Sequence, residues 1–210
     1  ASSRDEKGYL GPMKHLCLLF ALSFGAALPA RAELVSLADL SGYFNTLETA
    51  AGRFRQINAD VSVSTGDIYL HRPGRMRFEY DSEDLLVIAG GQQVAIFDGR
   101  SNSVPEQYPL SKTPLNLILA RRVDLAGSGM VIGHGTDGTT TRVLAQDPDR
   151  PENGTIELVF SDDPIALREW VITDATGAQT MVVFDDLTRG GQLSSRLFNI
   201  TAEIQERGRN

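Results

Sequence analysis

From Gly52 onward the chain is written in short runs of β-branched, aromatic and alternating residues, broken by Gly, Asn, Asp and Pro at the intervals of an antiparallel meander. This punctuation constrains the fold more than any other feature. Arg75-Met76-Arg77-Phe78-Glu79-Tyr80 is the clearest run. Side chains alternate across a strand, so Met76, Phe78 and Tyr80 share a dry face while Arg75, Arg77 and Glu79 share a wet one. Strand-type residues also dominate Phe54 to Val63, Thr65 to Leu70, Leu85 to Ala89 and Gln93 to Phe97. The later half reads as strands over Thr140 to Ala145, Thr155 to Phe160, Ala166 to Thr173, Thr180 to Phe184 and Ser195 to Ile200. Turns are expected at Gly90-Gly91, Asp98-Gly99, Asn153-Gly154 and Thr176-Gly177.

Two segments break the strand pattern. Leu34, Leu37, Leu40, Phe44 and Leu47 recur at spacings of three and four, which predicts an amphipathic helix over Leu34 to Leu47 with Ser36 or Ser41 as a cap. Thr113-Pro114-Leu115 predicts a second, short helix, with Thr113 as N-cap, Pro114 at the first helical position and Leu115, Leu117, Ile118 and Leu119 following. Gly127 to Gly135 reads as a mobile connection. The order of elements argues for one α+β domain on a large antiparallel sheet, with these two helices as the only cover for its dry face.

Met13 to Ala32 has the three parts of a secretory leader: Lys14, the apolar run Leu16 to Leu28, and Ala30-Arg31-Ala32 before a cleavage point at Ala32/Glu33. The run is shorter than the roughly 20 residues a membrane helix needs. The expected organisation is therefore an upstream extension at 1–12, a leader at 13–32 and a single domain at 33–210. Cys17, the only cysteine, falls inside the leader. The mature chain then has no disulfide, no thiolate metal site and no lipid-modified Cys at its start. The formal net charge is −7, and the leader carries more basic than acidic residues, so the mature chain is more acidic still. Nucleic acid and anionic membranes are unsuitable partners for such a chain.

Enzyme chemistry finds little purchase. His71 and His134 stand in no catalytic or metal-ligand spacing, and there is no H-E-x-x-H or G-x-S-x-G. The glycines around Gly127 to Gly135 lack the Lys of a phosphate loop. Asp162-Asp163 and Asp185-Asp186 are adjacent in the chain, so on strands they would point to opposite faces rather than converge on a substrate. A non-enzymatic protein without a cofactor is expected.

Gly66 to Tyr80 contains two strands joined by Arg72-Pro73, preceded by Phe54-Arg55-Gln56 and followed by the hairpin Gly91 to Phe97 with Asp98, then by Thr113-Pro114-Leu115. In that order these segments resemble the LolA family of periplasmic outer-membrane lipoprotein carriers over roughly Leu34 to Phe198. One departure is clear: the family commonly closes on a Pro-rich segment, whereas here Leu197-Phe198-Asn199-Ile200 runs into a charged tail, Glu203 to Asn210.

The resemblance implies an incomplete antiparallel β-barrel, a half-barrel, whose concave apolar face is lidded by helices to form a cavity for lipoprotein acyl chains. It implies that Arg72, at the matching Arg-Pro position, bonds to backbone carbonyls of the lid and holds the empty cavity closed. The apolar candidates for the cavity are Leu37, Leu40, Phe44, Met76, Phe78, Tyr80, Leu117, Ile118, Trp170 and Phe184, any of which could equally be core. The implied activity is shuttling of lipoproteins across the periplasm of a Gram-negative bacterium by a monomer, from an inner-membrane lipoprotein-release ABC transporter to an outer-membrane receptor. The alternative is a periplasmic lipid- or lipoprotein-sensing regulatory module with the same half-barrel.

Overall fold

The computed structural model describes residues 34–81, 84–100 and 104–208, all within the compact unit Arg31–Asn210. The expected leader and its cleavage point lie outside the described residues. The elements are α1 (Leu37–Thr46), β1 (Thr49–Ile57), β2 (Val63–His71), β3 (Arg75–Tyr80), β4 (Leu85–Gly90), β5 (Gln93–Asp98) and β6 (Glu106–Pro109). There follow α2 (Leu115–Leu119), β7 (Val131–Thr136), β8 (Thr141–Gln146), β9 (Thr155–Asp162), β10 (Ile165–Thr173), β11 (Gln179–Arg189) and α3 (Ile200–Arg207). Among them no helix is long and apolar enough to cross a membrane.

One 11-stranded sheet runs in the order β6-β5-β4-β3-β2-β1-β11-β10-β9-β8-β7. Every neighbouring pair is antiparallel. Among the described residues the first and last strands meet in the middle, so the two edges, β6 and β7, are consecutive in sequence. The segment between them carries α2. The result is an open half-barrel with its opening on the side of the β6–β7 connection.

Local chemistry explains most of the elements. Ser36 accepts from the Asp39 amide and so caps α1, while Leu40, Tyr43 and Phe44 turn inward from it. Gln92 and Gly91 both take positive φ in the β4–β5 turn, the conformation a two-residue hairpin requires. Gly66 is forced by packing: a Cβ there would lie 2.7 Å from the Phe54 ring and 2.0 Å from the Glu79 carbonyl oxygen.

Several expectations are corrected. The strand-like run Phe54 to Val63 is broken by a turn: Val61 donates to the Asn58 carbonyl and Asn58 to the Ser62 carbonyl, so β1 ends at Ile57 and β2 starts at Val63. The Asn and Asp of that turn outweigh the flanking valines. Gly127 to Gly135 is partly strand, since Gly133 and Gly135 pair with Leu144 and Arg142 at the β7 edge, where only one neighbour must be satisfied. Thr113 does not cap α2 with its side chain. Its hydroxyl donates backward to the Leu110 carbonyl, closing the 3-10 turn Leu110–Lys112.

Ser195 to Ile200 is not a strand. Ser194 caps a 3-10 turn at Ser195–Phe198, and Asn199 then accepts from the Ala202 amide to start α3. This helix covers the outer face of β4 and β5, where Ile200 joins Leu86, Ile88, Ala95 and Phe97, with Ile204 packed against them. The outer face is therefore not uniformly wet. Arg77, read as solvent-facing, has a side chain only 11% exposed and pairs with Glu203 at 3.1 Å.

Candidate functional site

The inner face of the sheet and the undersides of α1 and α2 enclose one large apolar cluster. All ten candidate residues lie in it or against it. Leu40 and Phe44 hang from α1, Leu117 and Ile118 from α2, and Met76 and Phe78 rise from alternate positions of β3. Trp170 and Phe184 come from β10 and β11. Leu37 and Tyr80 are only partly buried. The Tyr80 hydroxyl donates to Gln56 Oε1 at 2.7 Å, so that position is polar at its tip.

The aromatic residues fall into two groups, each in edge-to-face geometry, the arrangement that the ring quadrupoles favour. Under α1, Tyr43, Phe44 and Phe160 form a triangle with centroids 5.6 to 5.8 Å apart. Across the strands, Phe54, Phe78, Trp170 and Phe184 form a chain with spacings of 4.8, 6.1 and 4.8 Å. Tyr43, Phe54, Leu119, Val123, Leu125 and Phe160 belong to the same cluster and were not among the sequence candidates. The segment Val123 to Leu125 lies beyond any periodic run and is fixed by the burial of Val123 and Leu125 together with polar straps.

Those straps hold the cover down. Asn45 on α1 exchanges two hydrogen bonds with the backbone of Val123, at 2.8 and 2.9 Å, and the Leu125 amide donates to Ser41 Oγ. The Leu167 amide donates to the Tyr43 hydroxyl at 3.2 Å, at the bulge where β10 shifts register against β9. Near β7 the Val35 amide donates to Thr141 Oγ1, and its carbonyl meets His134 Nε2 at 3.0 Å.

The β2–β3 turn reaches α2 through two bonds to its C-terminal end. The Gly74 amide donates to the Leu119 carbonyl at 2.9 Å, and the Arg72 guanidinium donates to the Ala120 carbonyl at 2.6 Å. Arg72 is 8% exposed, its Cζ lies 6.0 Å from the Phe44 ring centroid, and its Nε is buried without a partner among the described residues. Burial pulls its pKa down, yet an arginine stays charged. The bond to Ala120 gives the buried cation an acceptor and ties the second hairpin to the cover.

Nearby, the half-buried His71 packs its ring against Phe198 at 5.8 Å on the other side of the sheet. Burial chiefly, and Arg75 after it, lower its pKa against the pull of Glu48. Among the described residues, no group of three His, Cys, Asp or Glu side chains could hold a metal ion. What the layer offers is a large apolar surface with few polar groups, which suits binding by burial.

The family model for outer membrane lipoprotein carrier protein LolA matches residues 45–201. The chain is similar to the outer-membrane lipoprotein carrier protein of Pseudomonas aeruginosa, 24% identical over 188 residues, which cover 85% of this chain and 89% of that one. It is 25% identical over 206 residues to the protein of that name from Nitrosomonas europaea, covering 88% and 94%. Among solved structures, a LolA superfamily protein from Nitrosomonas europaea superposes with a TM-score of 0.41 and 10% identity, covering 79% of this chain and 98% of that one. The match to the family model spans most of the chain, and the chain belongs to the LolA family.

Proposed function

We propose that this protein is a periplasmic carrier that takes up lipoprotein acyl chains in the apolar layer under α1 and α2 and shuttles lipoproteins from the inner to the outer membrane. Its domain would be the chain from about residue 33, free of its leader and working as a monomer. It would receive cargo from an inner-membrane release transporter and deliver it to an outer-membrane receptor without covalent chemistry.

The observation that carries this reading is the Arg72 strap across an apolar layer. Each buried CH₂ contributes about 0.8 kcal/mol, so a long acyl chain gains far more than the roughly 1.5–3 kcal/mol of a hydrogen bond made by a charged group. The strap therefore cannot keep cargo out. It lowers the free energy of the closed empty state, and this weakens net binding enough for release to a receptor.

Two measurements test the reading. Mass spectrometry of the protein purified from a Gram-negative periplasm should find acylated lipoprotein bound. Its lasting absence, with release machinery present, contradicts the carrier role. Arg72→Leu should load normally and transfer poorly, and normal transfer by that variant removes the strap from the mechanism.

A further inference from the structure

The apolar layer has a direction. Strand register sets residues in rows across the inner face, and the row at one end runs Val143–Leu158–Trp170–Val182–Gln56 through β8, β9, β10, β11 and β1. The row at the other end joins Ala50, Leu70, Met76, Ala89 and Val94 and is wholly apolar. Ala50 and Gln56 are six residues apart on β1, or about 20 Å at 3.3–3.4 Å per residue, the length scale of one long acyl chain. The Arg72 strap and α2 sit near the apolar row, since His71 follows Leu70 and pairs with Thr49. Polar side chains collect at the opposite end, where Tyr80 donates to Gln56 and Gln56 Nε2 donates to Asn58 Oδ1 at 2.6 Å.

One group at that polar end has no partner among the described residues. Trp170 is 2% exposed, its ring packs against Phe78 and Phe184, and its Nε1–H meets no acceptor. A buried donor left unpaired costs about as much as the hydrogen bond it could make, and native interiors rarely keep one without a reason. A lone N–H among aromatic rings is also a poor water site, because a buried water needs two or more polar partners.

We infer that the Trp170 indole N–H is the hydrogen-bond anchor for an acyl carbonyl of the bound lipid, which fixes each ligand with its ester or amide end at the Trp170–Gln56 row and its tail toward Met76 and Leu70. The inference rests on the carrier reading and names a ligand contact within that site. An acyl carbonyl is the only strong acceptor close to the hydrocarbon of such a ligand. It can reach a donor set at the layer's end while the chain stays in apolar surroundings. The unpaired donor disfavours the empty state and is satisfied on loading, opposite in sense to the Arg72 strap.

The test compares a tripalmitoylated lipopeptide with its ether- and alkyl-linked counterpart, which keeps the tails and lacks the carbonyls, on wild type and Trp170→Phe. Affinities come from displacement of a fluorescent fatty acid. Wild type should prefer the carbonyl-bearing ligand about tenfold, and Trp170→Phe should bind both with similar affinity. Because Trp170 is the only tryptophan in the chain, its indole ¹⁵N–H resonance is unique and should move downfield with the carbonyl ligand alone, a reading that needs no variant. An unchanged preference in Trp170→Phe, or an indole resonance that responds equally to both ligands, overturns the anchor while leaving the carrier reading standing. Failure of wild type to bind either ligand overturns both.

Discussion

The two faces of the sheet are covered in opposite ways. On the inner face α1 and α2 press many large apolar side chains against the strands, and few polar bonds hold them, one made by a buried arginine with an unpaired Nε. On the outer face α3 buries a small cluster around Phe97 and is fastened by ion pairs. Glu203 pairs with Arg77 and Arg207, both at 3.1 Å, Arg207 pairs with Asp84 at 3.0 Å, and Arg207 stacks over the Phe97 ring. Gly90 lets the chain at Phe198 come close, for a Cβ there would sit 2.1 Å from the Phe198 carbonyl oxygen. On the carrier reading, the inner cover, held by burial, neutral hydrogen bonds and one buried arginine, exchanges protein for ligand, while the outer one, fastened by ion pairs over a small core, stays put.

The largest expected effect comes from removing bulk on the inner side. Phe44→Ala should lower stability by about 3–5 kcal/mol, read as a lower urea midpoint, because Phe44 is 2% exposed and wedged between Tyr43, Phe160 and Arg72. Ile204→Ala on α3 should cost roughly half as much or less, since that side chain is only partly buried. Equal losses would break the contrast between the faces.

Arg77→Leu should cost about 1–3 kcal/mol by taking a partner from the partly buried Glu203 carboxylate and from the Leu197 carbonyl. It should loosen α3 while leaving ligand binding intact. Val61→Asn should stabilise by about 1 kcal/mol, because Val61 holds φ at 67°, a conformation β-branched residues resist and Asn tolerates. That change lies in the β1–β2 turn and should disturb neither cover, which makes it a control in hydrogen exchange.

Acid should have the smallest effect and should act on the outer face first. Burial pushes the Glu203 carboxyl up, and hydrogen bonds from Arg207 and Arg77 more than offset it, leaving it below its ordinary value. A carboxylate lowered in the fold contributes stability above its unfolded pKa and loses it as pH falls through the folded one. His71, lowered from 6.5 mainly by burial, likewise stabilises the fold while neutral and ceases to do so as falling pH protonates it. Exchange at 200–207 should rise in acid before exchange at 115–125, and the reverse order would count against the contrast.

The sequence made the inner face legible and the outer face obscure, for a physical reason. A large dry face imposes period two on the strands and three-to-four spacing on α1, so Met76, Phe78, Leu40 and Phe44 announce themselves. The apolar face of α3 is only Ile200 and Ile204, too little for periodicity, and its start depends on the Asn199 cap in a run that otherwise reads as strand. Arg77 looked solvent-facing because alternation assigns a face without saying what covers it. The edge strand β7, with Gly133 and Gly135, carries almost no core signal. The cluster is legible in the pattern, whereas the unpaired Trp170 donor and the Val123–Leu125 straps arise from contacts between residues far apart in the chain.

Hydrogen exchange on loading tests the central claim most directly, that the inner cover yields to cargo while the outer one does not. On adding tripalmitoylated lipopeptide, the amides of 37–46 and 115–125 should exchange faster, those of 200–207 should not change, and Arg72→Leu should show the faster inner exchange without ligand. Loading that leaves the inner cover unchanged, or releases α3 alone, would contradict the account.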